Sequence, residues 1–280
     1  MIVDTHIHVL GADREKYPRQ LHKVVPPHFA WTLDDYTVEH LLADMDRCGM
    51  DRALLVQAQN AYRSDNSYVA DMAQMYPERF KAVGVVDARD TDAADQLEYW
   101  VRERGLVGGR MMFQTPDFHV DDARVLPVLE RAQALQVPMC IYVWWQDLPR
   151  FAGVVGRFPD LAIALDHMGQ PSLESGKPYA SAAPLLALAR HANLTLKFST
   201  STLLAASKGS STARDWFGAL LDTYGSKRMM WGSNYPMNHE HEVPGLLAMA
   251  RRELEFVPEA DFDNMMGNTA QALYPSLANA

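Results

Sequence analysis

The chain contains 280 residues, of which 48% are hydrophobic and 22% are charged, and its formal net charge at pH 7 is −9. This composition is ordinary for a globular protein, and the length suits one large α/β domain or two small ones. The negative charge argues against a nucleic acid or an anionic membrane as partner, because both require a basic surface. It leaves room for a small anionic substrate, since one local arginine can dominate a pocket.

The chain has two cysteines, Cys48 and Cys140, and neither belongs to a CxxC pair. Two isolated cysteines form no disulfide framework and are typical of a reducing compartment. No apolar run approaches the roughly 20 residues of a membrane-spanning helix. The first residues also lack the charged and apolar regions of a signal peptide. We therefore expect a cytoplasmic protein.

The opening stretch MIVDTHIHV predicts a β-strand, because its apolar residues are mostly β-branched. Side chains two apart on a strand project to the same face, so His6 and His8 point together. Two adjacent imidazoles can hold a metal ion, orient a substrate carbonyl, or do both. The alternative is a strand whose histidines only form hydrogen bonds within the fold.

A long loop follows at about residues 11–35, and its aromatic and proline content favours an ordered lid over a loose connection. Tyr17, His22, His28 and Trp31 in this loop are candidates for shaping specificity. Helical spacing of apolar residues begins at Val38, and Gly49 is placed to cap that helix at its C-terminus.

Strands and helices then alternate along the chain. Apolar and β-branched runs predict further strands at 53–57, 81–87, 106–113, 138–143, 161–167, 194–199 and 228–232. Amphipathic stretches predict helices at about 68–75, 92–104, 122–135, 148–158, 182–191, 212–224 and 243–256, with a surface loop at 207–211 and a helical tail within about 260–280.

Eight strands alternating with helices predict a parallel sheet closed into a (β/α)8 TIM barrel, as a single domain over residues 1–280. An open doubly wound sheet is the alternative, but no glycine-rich turn follows the first strand. In such a barrel the active site lies at the carboxyl ends of the strands.

The polar residues at the predicted strand ends are the candidates for chemistry. His167 lies at a strand exit before a glycine, which favours function over core packing. Asp4 shares the face of His6 and His8 one layer deeper, and Asp166 alternates with His167, so we expect it to point outward. The remaining candidates are Gln57, Asn60, Asp87, Arg110, Lys197, Ser199, Asn234 and Tyr235.

Arg110 lies in an apolar strand, where an unpaired guanidinium is costly. It forms either a structural salt bridge, with a neighbour such as Asp87, or a fork for a substrate carboxylate. Lys197 has the same two interpretations. Gln57 and Tyr235 are further candidates for substrate contact, whereas Trp144 and Trp145 are expected to form pocket wall or packing.

These motifs together resemble the amidohydrolase superfamily, in the amidohydrolase-2 branch that includes 2-pyrone-4,6-dicarboxylate lactonase and sugar-acid lactonases. The resemblance covers essentially the whole chain. Its motifs are His6-x-His8 on strand 1, Gly109-Arg110 in the Gly-x-Arg region of strand 4, Asp-His-x-Gly at 166–169, Lys-x-Ser at 197–199, Trp-Gly-Ser-Asn-Tyr-Pro at 231–236 and Gly-Asn at 267–268. It implies a hydrolase of a small carboxylated cyclic ester, in which His6, His8 and His167 polarise the carbonyl and Arg110 binds the carboxylate.

One position departs from the family pattern. The family normally has aspartate at the end of strand 8 as the general base, but here the residue is Asn234, and an amide cannot take a proton at neutral pH. The base is then His167 or a residue of the following loop, namely His239, Glu240 or His241. Alternatively, the asparagine was introduced to trap a substrate, or the protein is no longer a hydrolase.

The ligand set for a metal is small. There is no strand-4 lysine or glutamate to bridge two metals and no strand-5 histidine, so we do not expect a binuclear centre. One Zn²⁺ or Mn²⁺ held by His6, His8 and His167 is one expectation. A metal-free enzyme is the other, because the lactonase branch includes members without bound metal.

Two other functions compete with a lactonase. The branch also resembles metal-dependent decarboxylases of aromatic acids, and a non-catalytic barrel could bind a carboxylated ligand. The simplest alternative is a barrel whose polar residues at the strand ends are solvated and have no function. Substrate identity and oligomeric state are not determined by the sequence.

Overall fold

The computed structural model describes residues 1–21, 23–237 and 241–278. Eight strands form one parallel sheet in the order β1 to β8, which confirms the (β/α)8 barrel. The strands are β1 Val3–Ile7, β2 Arg52–Val56, β3 Phe80–Val85, β4 Gly108–Phe113, β5 Met139–Val143, β6 Ile163–Leu165, β7 Leu194–Ser199 and β8 Met229–Gly232.

The helices surround this sheet. They are α1 Val38–Cys48, α2 Gln59–Tyr62, α3 Ser67–Met75, α4 Ala93–Arg102, α5 Leu126–Leu135, α6 Leu148–Arg157, α7 Ala183–Ala187, α8 Thr200–Ala206, α9 Ala213–Tyr224, α10 Val243–Glu253, α11 Glu259–Asp263 and α12 Thr269–Leu273. Gly49 caps α1 with a φ of 67°, as predicted. The short helices α2 and α8 were not predicted. None of the helices described is both long and apolar enough to cross a bilayer.

The strands are buried on both faces, as expected for a parallel sheet covered by helices. Most of the apolar core lies between the strands and the helices. A smaller cluster fills the lower part of the barrel, where Val3, Cys140 and Met230 pack with Tyr274 from the C-terminal segment. The C-terminal segment therefore covers the end of the barrel opposite the strands' carboxyl ends.

Strands β1 and β8 are joined by individual hydrogen bonds at the carboxyl end of the barrel. The Asn234 N–H donates to the His6 carbonyl at 2.7 Å, and the His8 N–H donates to the Tyr235 carbonyl at 2.9 Å. Close approach here requires a glycine, because a Cβ at Gly232 would lie 2.5 Å from the Cβ of His6. We call this junction the β1–β8 seam.

Strand β6 ends at Leu165, two residues earlier than we predicted. The chain then makes a turn in which four consecutive residues have left-handed φ angles, namely His167 at 53°, Met168 at 56°, Gly169 at 69° and Gln170 at 51°. Each non-glycine residue in this region costs about 1–2 kcal/mol. Such strain persists at functional sites, where the surrounding structure holds the backbone in place.

The segment between β1 and α1 contains an ordered 3-10 turn, Pro27–Leu33, in which Trp31 is buried. Its base is tied by a bridge between Leu10 and Tyr36 and by an ion pair between Arg19 and Asp35. This turn brings aromatic side chains to the carboxyl end of the barrel. His22, one of the four loop residues that we singled out, lies outside the described residues.

Candidate active site

A cavity opens at the carboxyl ends of the strands, where the barrel fold predicts the active site. It encloses about 470 Å³, part of it open to solvent. Its polar wall includes His8, Arg110, His167 and Asn234, which come from four different strand ends. The rest of the lining is Phe29, Trp31, Gln59, Asn60, Met112, Gln114, Tyr142, Gln170 and Met237. We call this space the catalytic cavity.

A buried carboxylate, Asp166, lies under the cavity between two cations. Its Oδ2 accepts a hydrogen bond from Arg110 Nε at 2.7 Å, and its Oδ1 lies 3.4 Å from Lys197 Nζ. Burial alone would raise the pKa of this carboxyl, but Lys197 and Arg110 overcome that effect and hold the pKa well below its usual range. Asp166 is therefore ionised and fixes both cations.

These contacts correct two predictions. Asp166 does not point outward, because it is fully buried and faces the inside of the barrel. The salt-bridge partner of Arg110 is Asp166 rather than Asp87, which instead pairs with Arg89 at 2.6 Å. Arg110 therefore forms a structural salt bridge through its Nε, and its side chain also lines the cavity. Its Nη atoms form no hydrogen bond with the described residues.

His8 follows the end of β1 and is held on two sides. Its Nδ1 lies 2.8 Å from the Val56 carbonyl oxygen, and its ring stacks on Trp31 with a centroid separation of 5.6 Å. A carbonyl can only accept, so Nδ1 carries the proton and Nε2 has a free lone pair. Burial and the nearby Arg110 lower the pKa of His8 to about 3. His8 is thus a neutral proton acceptor at neutral pH.

His167 projects into the same cavity from the left-handed turn. Its Nδ1 lies 2.9 Å from Ser199 Oγ, and its ring lies 5.7 Å from that of Tyr142. Burial lowers the pKa of His167 to about 4, although Asp166 acts in the opposite direction. This imidazole is also neutral at neutral pH.

His6 lies below the cavity rather than on its wall. Its ring centroid is 5.1 Å from that of His8 and 4.6 Å from that of His167, and its Nδ1 is 3.5 Å from Asp166 Oδ1. Burial and the neighbouring Lys197 lower the pKa of His6 well below its usual value. Neither ring nitrogen has a hydrogen-bond partner among the described residues. His6 therefore supports the floor of the site.

Asn234 lies just after β8 and also has a left-handed φ, of 56°. Asparagine tolerates this conformation better than most residues. Its backbone is fixed by the seam hydrogen bond to His6, so its side-chain amide is placed reproducibly on the cavity wall. An amide there can donate a hydrogen bond to a carbonyl oxygen but cannot accept a proton.

The sequence pattern of the amidohydrolase family matches residues 3–276. The chain belongs to the amidohydrolase family. Over 204 residues it is 28% identical to the L-fucono-1,5-lactonase of Burkholderia ambifaria. The matched region covers 72% of this chain and 69% of that protein.

Solved structures show the same fold. A putative 2-pyrone-4,6-dicarboxylic acid hydrolase from Pseudomonas putida has a TM-score of 0.78 at 22% identity, covering 98% of this chain and 97% of that one. A zinc-bound amidohydrolase from Burkholderia multivorans has a TM-score of 0.77 at 22% identity, covering 98% and 99%. These likenesses extend over the whole barrel of this amidohydrolase.

Three histidines of this amidohydrolase, His6, His8 and His167, lie close together, but the described residues form no complete set of ligands for a divalent metal. Residues 1–21, 23–237 and 241–278 contain no group of three His, Cys, Asp or Glu side chains arranged around one possible ion. The nearest carboxylate, Asp166, is engaged by Arg110 and Lys197, whose positive charges oppose a dication. The strand-8 position that would add a negative charge is the neutral Asn234.

Three residues predicted to contact substrate lie away from the cavity wall. Lys197 is 1% exposed and points toward Asp166 and Cys140. Gln57 is fully buried and donates from Nε2 to the Asp65 carbonyl. Tyr235 packs edge-to-face on Tyr36 with centroids 4.5 Å apart. Of the alternative bases, His241 is exposed, whereas His239 and Glu240 lie outside the described residues.

Several cavity residues were not distinguished from the sequence. Tyr142 lies within the apolar run of β5, where nothing separated it from core residues, and burial raises its pKa to about 12. Met112 lies near the end of β4 and Gln114 directly follows the strand, and their even spacing from Arg110 is a signal that could have placed them on the same side. Gln170 belongs to the left-handed turn, which strand periodicity does not predict. Trp144 packs on Tyr142 but does not line the cavity.

Proposed function

We propose that this amidohydrolase hydrolyses a small carboxylated cyclic ester, that is, a lactone, without a metal. The observation that carries the proposal is the catalytic cavity itself, where a guanidinium with free Nη atoms, a neutral proton acceptor and an amide donor share one wall. The similarity to an L-fucono-1,5-lactonase supports the same reaction class.

Arg110 is the proposed carboxylate-binding residue. Its Nε is fixed on Asp166, so the guanidinium plane is oriented before substrate arrives. The two Nη atoms then remain to donate to a carboxylate, and charge-assisted bonds of this kind are the strong ones. Lys197 acts indirectly, because it keeps Asp166 ionised and thereby keeps Arg110 in place.

His8 is the proposed general base, which revises its expected role as a carbonyl polariser. With the proton of its neutral ring on Nδ1, only Nε2 can act, and Nε2 can accept a proton from a water molecule. Arg110 is one cause of the low pKa of His8. A substrate carboxylate bound to Arg110 would offset that positive charge and raise the pKa of His8. Substrate binding would therefore make the base stronger.

Asn234 and His167 are proposed to stabilise the developing oxyanion. Ser199 Oγ accepts from the Thr202 N–H as an N-terminal cap, and Ser201 Oγ lies 2.8 Å away. If Ser201 donates to Ser199, Ser199 donates to His167 Nδ1, and the proton of His167 then resides on Nε2. That N–H and the Asn234 amide both become donors toward the carbonyl oxygen.

The proposed reaction proceeds in two steps. Water loses a proton to His8 Nε2 as its oxygen attacks the lactone carbonyl, and the carbonyl π electrons move to the oxygen held by Asn234 and His167. When the tetrahedral intermediate collapses, the ring C–O bond breaks and the leaving alkoxide takes the proton from His8. The product is a hydroxy acid, and the enzyme returns to its starting state. We also propose that the loop at about 11–35 covers the reacting groups, since its Trp31 already packs on His8.

The test is proton release measured with a pH indicator on two lactones, 2-pyrone-4,6-dicarboxylate and the uncharged L-fucono-1,5-lactone. We expect the carboxylated lactone to have the higher kcat, because only it neutralises Arg110. Replacing Arg110 by lysine should keep the ion pair with Asp166 but remove the two Nη donors that bind the substrate carboxylate. We expect kcat/KM to fall about 10- to 100-fold. The matched control is Arg102→Lys, an exposed arginine on α4.

His8→Gln tests the base, and we expect kcat to fall about 100- to 10,000-fold. Wild-type kcat in this variant would refute the assignment of His8. Carbon dioxide release from an aromatic acid, with no lactone hydrolysed, would refute the proposed reaction and favour a decarboxylase.

A further inference from the structure

A second, larger cavity continues from the catalytic cavity over the ends of β2, β3 and β4. It encloses about 1320 Å³, part of it open to solvent. The two spaces share five lining residues, namely Phe29, Gln59, Asn60, Met112 and Gln114. We call this adjoining space the outer trough. Because it is the larger of the two spaces and shares part of its lining with the catalytic cavity, a ligand bound in the catalytic cavity has room to extend into it.

The junction between the two spaces offers neutral hydrogen-bonding groups. Gln59 and Asn60 form no side-chain hydrogen bond with any described residue, and Gln114 contacts the hydroxyl of Tyr142. A side-chain amide both donates and accepts, which matches a hydroxyl group that does the same. Phe29 adds a half-buried apolar surface at the same place. This combination suits a hydroxylated ring, which has polar edges and apolar C–H faces.

The backbone and side chain of Arg63 give a second, independent indication that the outer trough binds a ligand. The backbone has a φ of 52° and a ψ of −124°, a conformation rarely adopted by a residue with a side chain, and it costs about 1–3 kcal/mol. The conformation is held by a hydrogen bond from the Arg63 N–H to the Gln59 carbonyl at 2.9 Å and one from Nε to the Gln20 carbonyl at 3.2 Å. Arg63 has no carboxylate partner among the described residues. Its guanidinium lines the outer trough with donors still available.

The charge of the outer trough favours a neutral occupant. The four charged side chains that line it are two cations and two anions, Arg63, Arg89, Asp87 and Asp90. Arg89 is already paired with Asp87 through three side-chain hydrogen bonds. With the formal charges balanced, a second carboxylate gains little here, whereas hydroxyl oxygens can accept from Arg63 and exchange hydrogen bonds with the amides.

We propose that the outer trough is a second subsite, which binds a neutral polyhydroxylated ring attached to the acid or lactone unit in the catalytic cavity. The substrate would then be a lactone extended by one sugar-like unit. This inference rests on the proposed function for the reaction, but the subsite itself can be tested by binding alone.

The experiment is calorimetric binding of gluconate and of lactobionate, which is gluconate extended by one neutral sugar ring. We expect lactobionate to bind about tenfold more tightly, the equivalent of one or two added hydrogen bonds. The ratio of the two affinities, lactobionate over gluconate, should fall to about one in Arg63→Gly and in Asn60→Ala. It should be kept in Arg102→Ala, where the arginine lies on α4 outside both cavities. Glycine adopts the Arg63 backbone conformation without strain, so the first variant is expected to fold.

Three results would overturn the subsite. They are equal affinities for the two acids, an advantage of lactobionate that survives in both variants, and no binding of either acid at millimolar concentration. Binding is measured without turnover, so an enzyme that hydrolyses no lactone but shows the Arg63-dependent advantage would contradict only the proposed function. An enzyme that hydrolyses lactones but binds both acids equally would contradict only the subsite.

Discussion

The buried histidines should make the stability of this protein fall steeply as the pH is lowered below 6.5. Burial lowers the pKa of His8 to about 3 and of His167 to about 4, from an ordinary value of 6.5. Between these values the unfolded chain binds protons that the folded chain does not. The free energy of unfolding therefore decreases as the pH decreases, because stability rises with pH wherever the unfolded state binds more protons.

The size of the loss in stability follows from the difference between the pH of the experiment and 6.5, the ordinary pKa of histidine. At pH 5 each histidine is almost fully protonated in the unfolded chain and neutral in the fold, which costs about 2 kcal/mol per residue. His8 and His167 together should cost about 4 kcal/mol relative to pH 8, and His6 acts in the same direction. A loss of that size is a large part of the typical total of about 5–15 kcal/mol.

Urea denaturation at pH 8 and pH 5 measures this difference. Burial raises the pKa of Asp4, an effect on the pH dependence that is opposite in sign to that of the histidines. Comparison with His8→Gln and His167→Gln removes that contribution, and each variant should lose about 2 kcal/mol of the pH-dependent difference. The exposed His28→Gln serves as control. A variant of either buried histidine with the full wild-type difference would refute the reasoning.

Four further predictions follow from the site and the fold. Because the pKa of His8 is about 3 in the free enzyme, kcat/KM should stay level from pH 8 down to about pH 5, and an acid limb near 6.5 in the pH–rate profile would contradict His8 as the base. Treatment with a metal chelator should leave kcat/KM unchanged, and stoichiometric zinc or manganese in elemental analysis of the active protein would refute the metal-free proposal. Asp166→Asn should lower the free energy of unfolding, measured by urea titration, by about 3–5 kcal/mol, because it leaves Arg110 and Lys197 buried without a counter-charge. The control Asp87→Asn breaks a partly exposed ion pair and should lower it by about 1 kcal/mol or less. Gln136 ends α5 with a φ of 56°, so Gln136→Gly should raise the free energy of unfolding by up to about 1 kcal/mol, and an unchanged or lower melting temperature would count against it.

The fold was predictable because the alternation of apolar strands and amphipathic helices extends over the whole chain. The strand ends then identified His8, Arg110, His167 and Asn234 as neighbours, since all parallel strands end at the same side of a barrel. This inference needs only the order of the elements and not their exact bounds, which explains why errors of one or two residues at most strands did no harm.

The orientation of Asp166 was not predictable from strand periodicity. We expected β6 to continue to His167, so that Asp166 and His167 would face opposite sides. The strand stops at Leu165, and the left-handed turn that follows allows both side chains to face the barrel interior. That turn depends on packing from several elements, which a local pattern does not encode.

The roles of individual side chains depended on contacts that lie far apart in sequence. The carbonyl of Val56 determines which nitrogen of His8 carries the proton, and Asp166 determines which nitrogens of Arg110 remain for a ligand. Neither partner is adjacent in sequence to the residue it controls. Sequence patterns therefore placed these residues correctly at the mouth of the barrel but could not assign their chemistry.

The β1–β8 seam couples barrel closure to ligand binding. His8 lies on one side of the seam and Asn234 on the other, and the backbone amides of these two residues form the hydrogen bonds that join the sides. A ligand held by both side chains would bridge the junction and oppose its opening. Amide hydrogen exchange at His8 and Asn234 would then slow when a ligand fills the cavity. Local opening of the barrel and occupancy of the site are in that case thermodynamically coupled.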